Sequence, residues 1–134
     1  MKKRCLVLAI VLALSVTIVQ GKPSSAQAVV KKFLNTMKKY GGSERLSDEL
    51  IVFLSPEYFK SRDIDPAGLK VNNYVIEDFK ILRVSGSYVD AKVYSNTNQR
   101  THWIRFKMVR EENRIFIEPS CVDGGYVDPW WITK

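Results

Sequence analysis

His102 is the only histidine of the sequence and its candidate for acid–base chemistry. An imidazole that transfers protons needs a carboxylate that orients it and tunes its basicity. Asp78 and Asp90 could supply that carboxylate only if the strand registers bring them to the face that His102 occupies. A lone histidine near the end of a strand is more often a residue of the surface or the rim. We therefore assign no catalytic residue. His102 is the candidate only under the alternative that the protein is a small enzyme.

Motifs for metal or phosphate chemistry are absent from the sequence. His102 and Cys121 lie nineteen positions apart, which matches no recognised spacing of metal ligands. Gly124-Gly125 is not followed by the Lys-Ser/Thr of a phosphate-binding loop, and no Gly-x-Ser-x-Gly motif occurs. We expect no cofactor and no metal site.

Aromatic residues indicate a candidate binding surface. The segment 126–132, close to the end of the chain, contains three of them, and exposed aromatic patches mark interaction sites. The favoured interpretation is a tail that folds back and covers Trp103, Tyr94 and Phe116. The alternative is an exposed patch that contacts an unknown small molecule, a glycan or a protein. Its candidate binding residues are Trp103, Tyr94, Trp130 and Trp131.

Helical periodicity comes first along the chain. A serine at position 24 or 25 can cap a helix that runs to about Tyr40, with apolar residues spaced by three and four. Ser55 followed by Pro56 is typical of an N-cap and the first helical position. This pair predicts a second, short helix from Pro56 to about Arg62.

Strand periodicity follows from Val71 onward, where apolar and polar residues alternate. Short turn segments separate the candidate strands and indicate an antiparallel meander. Helices followed by strands predict an α+β domain, with the N-terminal helices packed on one face of a four-stranded sheet. The predicted strands are Tyr74–Val84, Tyr88–Tyr94, Thr101–Val109 and Ile115–Glu118.

Alternation also divides the side chains of the sheet between two faces. The inner face, which should pack against the helices, carries apolar residues together with His102: Val89, Ala91, Val93, Ile104, Phe106, Met108, Ile115 and Ile117. The outer face mixes charged and aromatic residues: Tyr88, Asp90, Lys92, Tyr94, Trp103, Arg105, Lys107 and Phe116. A homodimer formed through this outer face is a further option.

Two stretches of the chain carry a resemblance to a known superfamily. They are Ala28–Leu34 (AVVKKFL) and Phe53–Tyr58 (FLSPEY), which precede the meander of long strands. In this order they resemble the cystatin-like/NTF2-like superfamily, in particular its small secreted bacterial domains of unknown function. The resemblance implies a curved sheet wrapped round the helices as a cone. Some members of that superfamily are enzymes and many are binding or assembly modules, so the fold alone does not choose between them.

The first residues of the chain predict export. Basic residues at positions 2–4 precede an uncharged apolar run, Cys5–Val19, and small residues follow it. This pattern is typical of a secretory signal peptide over residues 1–21, with cleavage as late as after Ala28 in the alternative. Residues 22–134 then form one domain, secreted or periplasmic, with no membrane anchor.

Removal of the signal peptide changes the charge and the cysteine count. The formal net charge of +7 falls to +4 without the three basic residues at 2–4, which does not indicate a nucleic-acid partner. Cys121 is then the only cysteine, and we expect it to be buried. The sequence thus predicts an exported, non-enzymatic binding or assembly domain. The alternatives are a small enzyme that uses His102 and a carbohydrate- or peptidoglycan-binding module that uses surface tryptophans.

Overall fold

The computed structural model describes residues 25–40, 47–71, 75–96 and 99–133. The predicted signal peptide, residues 1–21, and Tyr74 at the start of the first predicted strand lie outside the described residues. Within these ranges the chain has the predicted α+β class, with helices first and a mostly antiparallel sheet after them.

Helix α1 (Ser25–Tyr40) supplies the centre of the core. Val30, Phe33 and Leu34 of its apolar stripe are fully buried. Lys38 and Lys39 lie in the last turn, where their positive charge interacts favourably with the negative end of the helix dipole. The Phe33 ring makes edge-to-face contacts with Phe53, Phe106 and Trp130, at centroid distances of 6.0, 6.0 and 6.5 Å.

Two shorter helices follow, α2 (Asp48–Ile51) and α3 (Pro56–Ser61), and a 3₁₀ turn covers Pro66–Gly68. The predicted cap of α3 is confirmed, because the Ser55 hydroxyl accepts a hydrogen bond from the Tyr58 amide at 3.1 Å. The same hydroxyl donates to the Glu111 carboxylate, which also accepts from the Glu57 amide at 3.2 Å. These bonds fix the start of α3 against the end of a long strand.

The main sheet contains the four predicted strands in their chain order, each antiparallel to its neighbour. Their bounds agree with the predicted ones to within two residues: β2 Ile76–Ser85, β3 Tyr88–Ser95, β4 Arg100–Glu111 and β5 Arg114–Glu118. A fifth strand, β8 (Trp131–Thr133), comes from the tail and pairs with β4 beyond the end of β5. The predicted count of four strands is therefore one too low.

A second, small sheet was not predicted from the sequence. Its strands are β1 (Lys70–Val71), β6 (Cys121–Asp123) and β7 (Tyr126–Asp128), with β1 parallel and β6 antiparallel to the central β7. Cys121 is exposed, so the expectation that it is buried is wrong. The apolar side of this sheet is formed by Val122 opposite Val127, and alternation turns the neighbouring Cys121 the other way.

The inner face of the main sheet is apolar, as predicted, and α1 packs against β2, β3 and β5. Ile115 and His102 are only partly buried, whereas the other predicted inner residues form the core. Phe116, predicted as one of the aromatic residues of the outer face, is buried there. The Arg114 guanidinium lies 5.3 Å from the centre of its ring. Phe116 offers no exposed aromatic surface.

Candidate functional site

The tail places its two adjacent tryptophans on opposite faces of the main sheet. Trp130 points inward, is 2% exposed and meets the Phe106 ring at a centroid distance of 6.1 Å. Trp131 follows on the outer face and is 51% exposed. The inclusion of Trp130 among the candidate binding residues is therefore corrected: successive side chains of a strand alternate between faces, and this one belongs to the core.

Trp103 remains exposed because the tail pairs beside it and does not lie over it. In the β4–β8 register Trp103 is opposite Thr133 and Arg105 is opposite Trp131. The expectation that the tail covers Trp103 is wrong, since this side chain is 50% exposed. Trp103 and Trp131 are diagonal neighbours on one face, a relation in which residues lie about 7–8 Å apart. The two indoles can thus contact one ligand.

A charged cluster lies next to the two tryptophans. Asp90, on β3, accepts hydrogen bonds from Arg83 Nε at 2.8 Å and from Arg105 Nε and Nη2 at 2.8 and 3.2 Å. The hydrogen bonds from Arg105, supported by those from Arg83, hold the pKa of the Asp90 carboxyl below its usual range, although partial burial opposes them. These bonds draw the Arg105 guanidinium towards β3, where it also lies 5.3 Å from the centre of the Tyr88 ring.

The outer face is hollowed on both sides of Trp103. One hollow, of about 230 Å³, lies between Trp103, the Asp90–Arg105 pair and Thr133. The other, of about 150 Å³, is lined by Asp78, Phe79, Lys80, Lys92, Tyr94 and Thr101. Lys92 lines the second hollow and lies next to Trp103, which lines the first: its Nζ is 5.7 Å from the centre of the Trp103 ring.

We call this region the outer-face site. It consists of Trp103, Trp131, Tyr94, Lys80, Lys92, Asp90 and Arg105. The candidate residues Trp103, Tyr94 and Trp131 thus share one face, with Tyr94 partly buried opposite Asp78 and Thr101. Lys80 was not predicted to belong to this site, because a bulge in β2 determines which residue of that strand lies opposite Lys92.

The structure does not bring His102 together with either candidate carboxylate. His102 lies opposite Val93 and shares the inner face, whereas Asp90 lies opposite Arg105 and Asp78 opposite Tyr94 on the outer face. The sheet separates the imidazole from both carboxylates. This geometry pairs His102 with neither Asp78 nor Asp90, the two carboxylates proposed to orient it.

A larger hollow, of about 410 Å³, lies between α1 and the β4–β5 turn. Three of its apolar residues, Val29, Phe53 and Ile115, pack against the core and are partly exposed, whereas the fourth, Val52, is 55% exposed. One exposed valine offers less apolar surface than the two half-exposed indoles of the outer-face site. We therefore base the functional proposal on the outer face.

Within the ranges given above, no cluster of three or more His, Cys, Asp or Glu side chains could hold a metal ion. The helices of those ranges include none that is long and apolar enough to cross a membrane. Comparison of the chain with protein-family models, with curated proteins and with solved structures finds no match. The resemblance to the cystatin-like/NTF2-like superfamily stays a hypothesis.

Proposed function

We propose that this chain is an exported, non-enzymatic binding domain of the cystatin-like/NTF2-like kind that holds a carbohydrate chain on its outer-face site. The observation that carries the proposal is the pair of half-exposed indoles, Trp103 and Trp131, on one face of two adjacent strands. Large aromatic side chains that stay in water without covering the core are typical of interaction surfaces.

Carbohydrate suits this surface better than a purely apolar ligand. Sugar rings combine flat C–H faces, which stack on indoles, with hydroxyl groups that need hydrogen-bond partners. The outer-face site offers both, since the polar side chains of Arg105, Tyr94 and Thr133 lie on the same face of the sheet as the two indoles. The hollows on either side of Trp103 favour an extended ligand over a single small molecule.

The rival functions fit the geometry less well. An enzyme that used His102 with Asp78 or Asp90 would need the imidazole and the carboxylate on one face, and these two carboxylates lie on the other face. A homodimer through the outer face would bring two surfaces with an excess of positive charge together, and like charges repel. The carbohydrate proposal meets neither objection.

Native gel electrophoresis in gels that contain a soluble polysaccharide tests the proposal. We expect at least one polymer of a neutral and acidic panel, dextran and alginate included, to retard the purified protein. Trp103→Ala and Trp131→Ala should each abolish the retardation, because each removes one stacking surface. Tyr126→Ala is the matched control, since Tyr126 is 41% exposed but lies in the small sheet. Absence of retardation, or retardation that both tryptophan variants keep, would contradict the proposal.

A further inference from the structure

Two lysines face each other across the outer-face site. Lys80 on β2 and Lys92 on β3 are direct partners in the antiparallel register, so their side chains emerge next to each other on the same face. Like charges directly opposite each other destabilise a sheet. A pair that costs stability at this position requires a reason outside the fold.

Three other cations of this face have carboxylate partners. Arg83 and Arg105 both pair with Asp90, and Lys107 Nζ lies 3.0 Å from Glu118. In the part of the chain that the structure describes, neither Lys80 nor Lys92 forms such a pair.

Asp78 lines the same hollow as the two lysines, but it does not neutralise them. Its Oδ1 accepts a hydrogen bond from the Phe79 amide at 2.9 Å. One carboxylate stands beside two ammonium groups, so the hollow keeps a net positive charge.

We infer that the carbohydrate bound by the outer-face site is an acidic polysaccharide, with a sugar carboxylate placed between Lys80 and Lys92 and the adjoining ring stacked on Trp103. The inference deepens the proposed function and rests on it. Charge complementarity selects the ligand, because an anion in the hollow would relieve the repulsion between the two ammonium groups.

Lys92 lies close both to the positively charged hollow and to the indole of Trp103. Lys92 Nζ lies 5.7 Å from the Trp103 ring centre and also lines the lysine hollow. An anionic group bound to this ammonium therefore sits within one sugar unit of a ring stacked on Trp103. A polymer of sugar acids has that spacing between its carboxylates and its rings, whereas inorganic polyphosphate offers charge without a ring.

Binding of the purified protein to alginate, dextran, polyphosphate and an oligodeoxythymidylate tests the inference by titration calorimetry. We expect alginate to bind more tightly than the other three, and its affinity to fall as salt rises. Lys80→Gln and Lys92→Gln should each raise the alginate Kd by about two- to fivefold, the range expected for exposed ion pairs. Lys38→Gln, which removes a lysine from the exposed side of α1, is the control and should leave Kd unchanged.

A structural role for the lysines is distinguished by a second readout. Lys80→Gln removes a like-charge contact, so its thermal midpoint should equal or exceed that of the wild type, whereas a structural role for Lys80 would lower it. Lys92→Gln also removes the ammonium next to the Trp103 ring, so it is compared in binding alone. Equal binding of dextran and alginate would overturn the inference and leave the proposed function standing. Equal or tighter binding of polyphosphate or oligodeoxythymidylate would overturn it in favour of general anion or nucleic-acid binding. Binding of none of the polymers would refute the proposed function as well.

Discussion

Replacement of the two adjacent tryptophans of the tail by alanine should affect stability very differently. Trp130 is 2% exposed and packs edge-to-face on Phe33 and Phe106. Loss of such a buried ring costs about 3–5 kcal/mol, through lost burial and the cavity left behind. Trp131 is 51% exposed, and its main fixed neighbour is Arg105 across the strand pair. Its removal should cost no more than about 1 kcal/mol, the upper value for a cross-strand pair.

Urea unfolding followed by far-ultraviolet circular dichroism measures both costs without depending on tryptophan emission. With a urea m-value of about 1–3 kcal/mol/M, the midpoint of Trp130→Ala should fall by at least about 1 M. That of Trp131→Ala should stay near the wild-type value. The reverse order, with Trp131→Ala as the destabilised variant, would mean that the tail pairs one residue out of register, since a one-residue slip exchanges the two faces. Equal midpoints would refute the inward packing of Trp130.

Three further predictions concern the core, the charged cluster and the amino terminus. Phe33→Ala should lower the free energy of unfolding by about 3–5 kcal/mol, whereas Lys32→Ala on the exposed side of α1 should change it by no more than about 0.5 kcal/mol, and chemical denaturation compares the two. The lowered pKa of Asp90 means that its stabilisation is present at neutral pH and is lost as pH falls through that pKa. The stability difference between wild type and Asp90→Asn should therefore close below about pH 4 in urea titrations at several pH values. Amino-terminal sequencing of the exported protein should begin at Lys22, because cleavage before Val29 would remove the first turn of α1, and a protein that retains its first residue would contradict the signal peptide.

Elements with strong periodicity are predictable from this sequence. The stripe of α1 and the alternation of β3 follow from local patterns, and Ser55-Pro56 marks the start of α3 through its cap. In each case the residues that decide the structure are neighbours in sequence. The assignment of Ile104, Phe106 and Met108 to the core has the same origin.

Features that depend on distant pairing are not predictable in this way. β1 and β7 have two and three residues, too few for a periodic pattern, and their pairing joins segments far apart in the chain. The exposure of Trp103 depends on whether the tail lies beside β4 or over it, and only the β8 register decides that. The Lys80–Lys92 pair likewise depends on a bulge in β2. Alternation thus predicted that Asp90, Lys92, Tyr94, Trp103 and Arg105 share the outer face, but it did not predict the position of Lys80 or the exposure of Trp103.

The indole N–H signals in a proton–nitrogen NMR spectrum test the outer-face site most directly, because the sequence has three tryptophans and each gives one signal. Tryptophan-to-phenylalanine variants assign the signals, and alginate is then added in steps. We predict that the Trp103 and Trp131 signals shift with a common binding curve while the Trp130 signal stays in place. Shifts confined to Trp130, or no shift of any indole under conditions where alginate binds, would contradict a binding surface on the outer face of the sheet.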